Sequence, residues 1–171
     1  MSHLITRRLT PDDLSALLHV ERDLALAGVG MVLDPDEQSA EKTTARLEEF
    51  CSAAPDQKIM LGVFSGEVLA GVADLSRIPL RRINHVAILT MGVHPDHQGR
   101  GVGRRLMDGL LSWADRVGVI RVELYVRADN LRAQSLYQSS GFQLEGVRRS
   151  FIIDPDGTVV DDHIMARIHP G

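Results

Sequence analysis

Hydrophobic residues recur at helical spacing in the first third of this 171-residue chain and in short, nearly continuous runs further on. This pattern predicts helices near the N-terminus and strands in the middle. A short strand is predicted at residues 4–9. The helix after it begins at Thr10 and Pro11, because threonine caps helices well and proline suits the first helical position. A second helix is predicted at residues 39–54, with a loop at residues 28–38 between the two helices.

The remainder of the chain is predicted to form mostly strands. Strands are expected at residues 59–64, 68–75, 82–93, 121–127, 143–153 and 158–168. One helix is expected to open at residues 99–103 and to end near residue 117, and another to cover residues 130–140. Turn sequences at residues 65–66 and 154–157 separate neighbouring strands. The order β-α-α-β-β-β-α-β-α-β-β predicts a single α+β domain, residues 1–171, with mixed strand directions.

Composition narrows the classes of protein to which the chain can belong. Apolar residues make up 44% of the chain and charged residues 25%, as in an ordinary globular domain rather than a disordered or coiled-coil protein. The formal net charge of -4 argues against a nucleic-acid partner. The longest apolar run, residues 24–33, is too short to span a membrane, and the first residues lack a secretory hydrophobic region. We therefore expect no membrane partner and a cytoplasmic location.

The most informative stretch, residues 91–106, joins a predicted strand to a predicted helix. It carries glycines at alternate positions, Gly99, Gly101 and Gly103, which leave backbone N–H groups accessible. The first amides of a helix have no partner within it, and the helix dipole adds positive potential there, so the stretch suits a phosphate or pyrophosphate. The spacing is neither that of a P-loop nor that of a dinucleotide fingerprint. Taken alone, it is also compatible with a simple tight connection.

A second signal lies on the predicted helix at residues 130–140. Asn130, Ala133 and Tyr137 are spaced so that they share one helix face. A tyrosine there can present its hydroxyl to a neighbouring site while its ring packs inward. The alternative is a packed helix residue whose hydroxyl contacts only solvent.

Together the two segments resemble the GNAT N-acyltransferase superfamily. The sequence Gln98-Gly99-Arg100-Gly101-Val102-Gly103 matches its Gln/Arg-x-x-Gly-x-Gly/Ala acetyl-CoA motif. The pattern Asn130-x-x-Ala133-x-x-x-Tyr137-x-x-x-Gly141-Phe142 matches its downstream motif. The closing segment, with Asp162 and Met165, is similar to the branch that contains bacterial amino-acid and amine N-acetyltransferases. The resemblance implies one domain with a mixed, mostly antiparallel central sheet of about seven strands, flanked by about four helices.

The resemblance also implies acetyl-CoA as cosubstrate and gives roles to individual residues. Those expected to bind acetyl-CoA are the backbone groups of Met91 and Val93, Asn130 at the pantetheine region, and the pyrophosphate loop formed by Gln98, Gly99, Arg100, Gly101, Val102, Gly103 and Arg104. Tyr137 would protonate the departing thiolate, although a free tyrosine has a pKa of ~10 against ~8.5 for a thiol. The amine would attack the thioester directly in a ternary complex.

One position departs from the family pattern. Many members carry a glutamate in the central strand as general base, and Ile88 stands at that position here. Without this general base, acetylation of a lysine ε-amine is impaired more than acetylation of an α-amine. Deprotonation of the ε-amine costs roughly 4 kcal/mol near neutral pH, whereas an α-amine has a pKa of ~8. We therefore expect the acceptor to be the α-amine of a small molecule or amino acid. His85 is the catalytic base candidate and His94 an alternative, because histidine titrates near neutral pH.

Other readings of the sequence stay open. A protein N-terminal acetyltransferase of the ribosomal-protein type would use the same chemistry on a peptide, and a non-catalytic acyl-CoA sensor would also explain the absent glutamate. The cluster of His94, Asp96 and His97 falls in one turn, where a solvated loop is commoner than a metal site, so no metal is expected. The resemblance is compatible with a homodimer, although no apolar stripe or patch in the sequence indicates one.

Overall fold

The computed structural model describes residues 3–28 and 35–169. The strands are β1 Leu4–Arg8, β2 Lys58–Ser65, β3 Val68–Arg77, β4 Val86–Val93, β5 Arg121–Arg127, β6 Gln143–Ile153 and β7 Val159–Ile168. The α-helices within the described ranges are α1 Leu14–Ala27, α2 Ala40–Ser52, α3 Val102–Arg116 and α4 Leu131–Ser139. Short 3-10 turns lie at Pro11–Asp13, Pro35–Glu37 and Pro95–His97. None of these helices combines the length and the apolar composition needed to cross a bilayer.

The strands form one seven-stranded sheet in the order β1-β2-β3-β4-β5-β7-β6. All neighbouring strands run antiparallel except β4 and β5, which are parallel. This arrangement confirms the predicted mixed, mostly antiparallel sheet with flanking helices. The single parallel pair matters for the site, because ligands of open α/β sheets bind beyond the carboxyl ends of such strands.

The core divides between the two faces of the sheet. On one face, α3 packs its apolar side, which includes Leu106, Leu110 and Trp113, against the strands. On the other face, residues such as Leu17 of α1 and Leu47 of α2 form a second cluster. Because side chains alternate along a strand, β2 and β3 contribute residues to both clusters. Which face a residue takes therefore decides which helices it can meet.

The structure corrects the start of one predicted strand. Residues 82–85, predicted as the beginning of a strand, form a turn instead. The amide of Ile83 donates to the carbonyl of Leu80 at 2.9 Å, and the amide of Val86 donates to the carbonyl of Ile83 at 3.0 Å. These short-range bonds replace strand pairing, so β4 begins only at Val86. Of the predicted loop at residues 28–38, the part at 29–34 lies outside the described residues.

Candidate active site

A cleft opens where two neighbouring strands stop pairing. The parallel strands β4 and β5 pair only from Val86 with Arg121 to Ile88 with Glu123. Beyond this last pair their carboxyl ends no longer pair, and a cavity of about 800 Å³ is lined by residues of both strands and of α1, α2, α3 and α4. This volume lies within the range of pockets that hold small-molecule ligands. The topology thus creates a ligand-sized cleft at the only parallel pair within the described sheet.

Ten residues predicted to belong to the site line this cleft. They are Met91, Val93, Gln98, Gly99, Gly101, Val102, Gly103, Arg104, Asn130 and Tyr137. Arg100, which belongs to the same loop, is exposed and does not line the cleft. The two sequence signals, far apart along the chain, therefore meet around one cavity.

The structure does not bring His85 to the cleft, and the role of general base predicted for it is not supported. His85 lies in the turn that precedes β4, and its carbonyl accepts hydrogen bonds from the amides of Ile120 and Arg121. Ile88 is the first residue of β4 that lines the cleft, and His85 is not among the lining residues.

Two glycines shape the loop between β4 and α3. Gly99 and Gly101 have φ angles of 74° and 83°, in the left-handed region that L-residues avoid. The first bond of the helix runs from the amide of Arg105 to the carbonyl of Gly101 at 3.1 Å. The amides of Val102, Gly103 and Arg104 therefore have no acceptor within the helix. With the dipole of α3 behind them, these amides can hold a phosphate group at the end of the cleft.

Two arginine side chains lie at this loop, Arg104 within it and Arg132 beside it, and Arg132 was not predicted from the sequence. Arg132 of α4 donates to the side-chain oxygen of Gln98 at 2.7 Å. A side chain at position 99 would meet the Arg132 guanidinium at 3.1 Å, so glycine also makes room for this contact. Arg104 donates to the hydroxyl of Ser140 at 3.2 Å and to that of Ser139 at 2.5 Å. Arg132 lies beside the Asn130 signal in sequence, but only the packing of α4 against the loop shows its contact with it.

Asn130 caps the beginning of α4. Its side-chain oxygen accepts a hydrogen bond from the amide of Ala133 at 3.1 Å and so caps the helix. Tyr137 lies two turns further on and is only 7% exposed. Its ring contacts Phe142 at 6.0 Å between centroids, and burial raises the pKa of its hydroxyl to about 12. Asn130 therefore positions the helix that carries Tyr137 to the cleft.

An ionic network that was not predicted from the sequence lies at the opposite wall of the cleft, which its members Glu21, Thr43 and Arg46 line. Arg46 of α2 donates to Asp74 of β3 at 2.9 Å and also to Glu21 of α1. Glu21 accepts further bonds from Thr43 at 2.7 Å and from Gln38 at 3.2 Å. Burial is the main cause that raises the pKa of Asp74 to about 6. Arg46 opposes the rise, while Glu21 adds to it. A signal was present, since Glu21 falls on the buried stripe of α1 and Asp74 interrupts an apolar strand.

A second polar pair lies on β5, on the same face of the sheet as Ile88 and Thr90. Tyr125 lines the cleft, and its hydroxyl donates to Glu123 at 2.6 Å. Arg121 donates to the other carboxylate oxygen of Glu123 at 3.1 Å and 2.6 Å. The hydrogen bond from Tyr125 comes first among the causes that lower the pKa of Glu123, and the Arg121 guanidinium adds to it. This pair was also missed, because strand periodicity alone does not show which face meets the cleft.

His94 and His97, which follow β4, contact neighbouring side chains and backbone groups. His94 lies 3.0 Å from Asp23 through Nε2, and its Nδ1 accepts a bond from the amide of Asp96. The ring of His97 lies 5.7 Å from that of His94, and burial is the main cause that lowers the pKa of His97. Within residues 3–28 and 35–169, no group of three or more His, Cys, Asp or Glu side chains is arranged to hold a metal ion.

Comparison with known proteins gives the class of this fold and site. The seven-stranded sheet superposes on an acetyltransferase of the GNAT family from Streptococcus pneumoniae with a TM-score of 0.89 and 25% identity, over 98% of this chain and 100% of that one. Residues 15–142 match the model of the acetyltransferase (GNAT) family. The chain belongs to this family.

Two further proteins are similar to this chain. Over 91 residues, the chain is 45% identical to the N-alpha-acetyltransferase RimI of Mycobacterium tuberculosis, a match that covers 53% of this chain and 56% of the relative. The chain thus spans about half the length of this curated relative. The structure of yncA from Salmonella typhimurium, which contains acetyl-CoA as its cofactor, has a TM-score of 0.85 at 19% identity, over 98% of this chain and 96% of that one.

Proposed function

We propose that this chain transfers an acetyl group from acetyl-CoA to a primary amine, with the α-amine of a small molecule or amino acid as acceptor. The observation that carries the proposal is the cleft itself. It has the free amides at the start of α3 at one end and the hydroxyl of Tyr137 beside the gap between β4 and β5. Family membership supports the reaction class, and the cytoplasmic location expected from the sequence is part of the same proposal.

The residues divide into roles by position. The amides of Val102, Gly103 and Arg104 would hold the pyrophosphate of acetyl-CoA, with Arg132 adding positive charge next to them. Met91 and Val93 would pair with its pantetheine arm through backbone groups on the side of β4 that β5 leaves open. Acetyl-CoA supplies the activated acyl group, and these residues bind and orient it.

Tyr137 would donate a hydrogen bond to the sulfur that leaves. Its pKa of about 12 lies well above the ~8.5 of a thiol, so the hydroxyl stays protonated throughout the neutral pH range. A donor that strengthens as negative charge develops on the sulfur lowers the barrier without giving up its proton beforehand. The apolar surroundings of Tyr137 make such a hydrogen bond stronger than it would be in water.

The rival proposal is a protein N-terminal acetyltransferase, which the 45% identity to an N-alpha-acetyltransferase specifically favours. Both proposals have α-amine acceptors, and they differ in whether a peptide chain is attached to the acceptor residue. The third, a non-catalytic acyl-CoA sensor, would bind acetyl-CoA without turnover. The polar wall formed by Glu21, Thr43 and Arg46 is where the body of an acceptor would lie in the first two cases.

One experiment separates the three. The purified chain is incubated with acetyl-CoA and three sets of compounds: free amino acids and small amines, peptides with a free N-terminus, and the same peptides blocked at the N-terminus. Products are identified by mass spectrometry, and acetyl-CoA binding is measured by calorimetry. Acetylated small amines support the leading proposal, and acetylation of free-N-terminus peptides alone supports the rival. Binding of acetyl-CoA with no acetylated product in all three sets favours the sensor.

A further inference from the structure

The cleft face of β4 contains no titratable side chain that could take a proton from the amine. The residues of β4 that line the cleft are Ile88, Leu89, Thr90, Met91, Gly92 and Val93. The acceptor of the proton must therefore come from a neighbouring element. Its strand partner β5 carries Glu123 directly beside Ile88 and Tyr125 two residues further on, both on the face shared by Ile88 and Thr90.

Tyr125 and Glu123 form a hydrogen-bonded pair that reaches the cleft. The Tyr125 side chain lines the cleft and is 44% exposed, so an acceptor can approach its hydroxyl. That hydroxyl donates its proton to Oε1 of Glu123 at 2.6 Å, which leaves the lone pairs of the oxygen free to accept a bond from an amine N–H. Glu123 turns its other oxygen to Arg121. Oε1 is thus the oxygen that can receive a proton through Tyr125.

The tyrosine ring is held in place from its other side. The guanidinium of Arg148 lies 4.3 Å from the centre of the Tyr125 ring and 3.8 Å from that of the Phe151 ring. Arg148 is itself bound to Asp162, which is 2% exposed. A stacked and anchored cation of this kind fixes the ring plane. The hydroxyl is therefore pre-oriented toward Glu123 before any substrate binds.

The other buried carboxylates near the cleft are less suited to this task. Both oxygens of Glu21 are occupied, by Arg46 on one side and by Thr43 and Gln38 on the other. Asp74 is bound to Arg46 and does not line the cleft. Tyr137 approaches from the opposite face of the sheet, where it packs with the α3 cluster. The two tyrosines thus reach the gap between the strands from opposite faces, one suited to the leaving sulfur and the other to the entering nitrogen.

We propose that the hydroxyl of Tyr125 relays the proton of the attacking amine to Glu123, an inference that rests on the proposed acetyltransferase function. As the C–N bond forms and the C–S bond breaks, the nitrogen gives its proton to Oη of Tyr125. The proton of that hydroxyl passes to Oε1 of Glu123. The sulfur leaves with its electron pair, hydrogen-bonded to Tyr137, and takes a proton from solvent. Glu123 then returns its proton through Tyr125 to solvent, which restores the starting state.

The protonation states fit this direction of transfer. The hydrogen bond to Glu123 raises the pKa of Tyr125, so its hydroxyl is intact at neutral pH, while Glu123 is ionised. A nitrogen that becomes positively charged as it bonds to a carbonyl carbon is far more acidic than a free ammonium. It can therefore give up its proton to a carboxylate even though the pKa of that carboxylate is low.

The test uses Tyr125→Phe and Glu123→Gln, with Glu145→Gln as the matched control. Glu145 is the second carboxylate bound to Arg121, at 2.6 Å, and does not line the cleft. Its replacement removes one ionic partner of Arg121 just as Glu123→Gln does, without touching Tyr125. We expect Tyr125→Phe and Glu123→Gln each to lower kcat about 100-fold, as for loss of general-base catalysis. The KM for acetyl-CoA and the melting temperature should stay close to wild type, and Glu145→Gln should keep full kcat.

The double variant gives a readout that a structural role would not. If the two residues act as one relay, Tyr125→Phe combined with Glu123→Gln loses no more kcat than either single variant. Independent effects that multiply, or a Tyr125→Phe variant within threefold of the wild-type kcat, overturn the relay while leaving acetyl transfer intact. A wild-type chain that acetylates no α-amine, free or peptide, overturns the proposed function and the relay with it.

Discussion

Replacing Tyr137 with phenylalanine isolates the hydroxyl that is proposed to face the leaving sulfur. The side chain is buried, its ring contacts Phe142, and burial is the only cause that raises its pKa. None of the hydrogen bonds found among the described residues involves this hydroxyl, so its removal breaks no contact that holds the fold. We expect the free energy of unfolding of Tyr137→Phe to stay within about 1 kcal/mol of the wild-type value.

The size of the catalytic loss can be worked out from the pKa difference. A hydroxyl with a pKa of about 12 is some 3.5 units less acidic than a thiol at ~8.5, so complete proton transfer to the thiolate would be uphill by about 5 kcal/mol. The useful contribution is therefore a hydrogen bond to a charged acceptor, worth about 1.5–3 kcal/mol. At ~1.4 kcal/mol per factor of ten, this corresponds to a decrease in kcat of about 10- to 150-fold.

The assay measures release of the free thiol of coenzyme A with a chromogenic thiol reagent, at saturating acetyl-CoA and with an acceptor that the wild-type chain acetylates. Calorimetric titration with coenzyme A checks that binding is unchanged, and thermal unfolding checks the fold. A Tyr137→Phe variant with wild-type kcat refutes the assigned role. A fall in wild-type kcat on the alkaline side of the pH profile, below pH ~10, that is absent from the variant would also refute the role. Such a fall would mean that the pKa of Tyr137 is much lower than about 12.

Three further predictions concern the loop, the buried network and the sheet. Gly101→Ala forces an L-residue into a φ of 83°, which costs about 1–2 kcal/mol of backbone strain. We therefore expect coenzyme A to bind 5- to 30-fold more weakly, as measured by its calorimetric Kd. An unchanged Kd would mean that the loop does not bind it. Asp74 has a folded pKa of about 6, above its unfolded value, so its ionisation removes stability as pH rises from about 4 to 6. Measured by urea unfolding, the free energy of unfolding of Asp74→Asn should therefore rise by about 3 kcal/mol relative to that of the wild type between pH 4 and pH 7. If the difference in free energy between the two proteins does not change with pH, the raised pKa of Asp74 is wrong. Gly71→Ala places a Cβ 2.8 Å from Val102 and 3.0 Å from the carbonyl oxygen of Gly92, and should lower the free energy of unfolding by about 1–3 kcal/mol, measured by denaturant.

The glycine loop and α4 show how far local sequence rules reach. Alternating glycines after an apolar strand specify a strand–helix junction with free amides, because both the backbone freedom of glycine and the unpaired helix amides are local properties. Asn130 followed by a helical run is likewise a local capping signal. These rules describe each segment by itself, and it was the resemblance of both segments to the GNAT superfamily that placed Gly99, Gly101 and Tyr137 at one site before any contact was known.

The position of His85 outside the cleft and the omission of Glu123 have a common physical cause. Both depend on where a residue lies along a strand and on which neighbour that strand has. A slip of one residue reverses the face of a strand side chain, and an apolar run does not reveal where pairing ends. Ile83 and Val86 made residues 82–93 look like one continuous strand, whereas a turn holds its first part away from the sheet.

Sequence alone determined the order of helices and strands, the glycine-rich loop with free amides before α3, and the placing of Tyr137 on the helix face that carries Asn130. Each depends on interactions between residues close together in the chain. The tertiary structure decided where the proton of the amine can go. It separates β4 from β5 just beyond Glu123, brings Tyr125 to the cleft, and joins the buried carboxylates of Glu21 and Asp74 through Arg46. Such long-range ionic and strand-pairing contacts join residues whose separation along the chain carries no periodic signal.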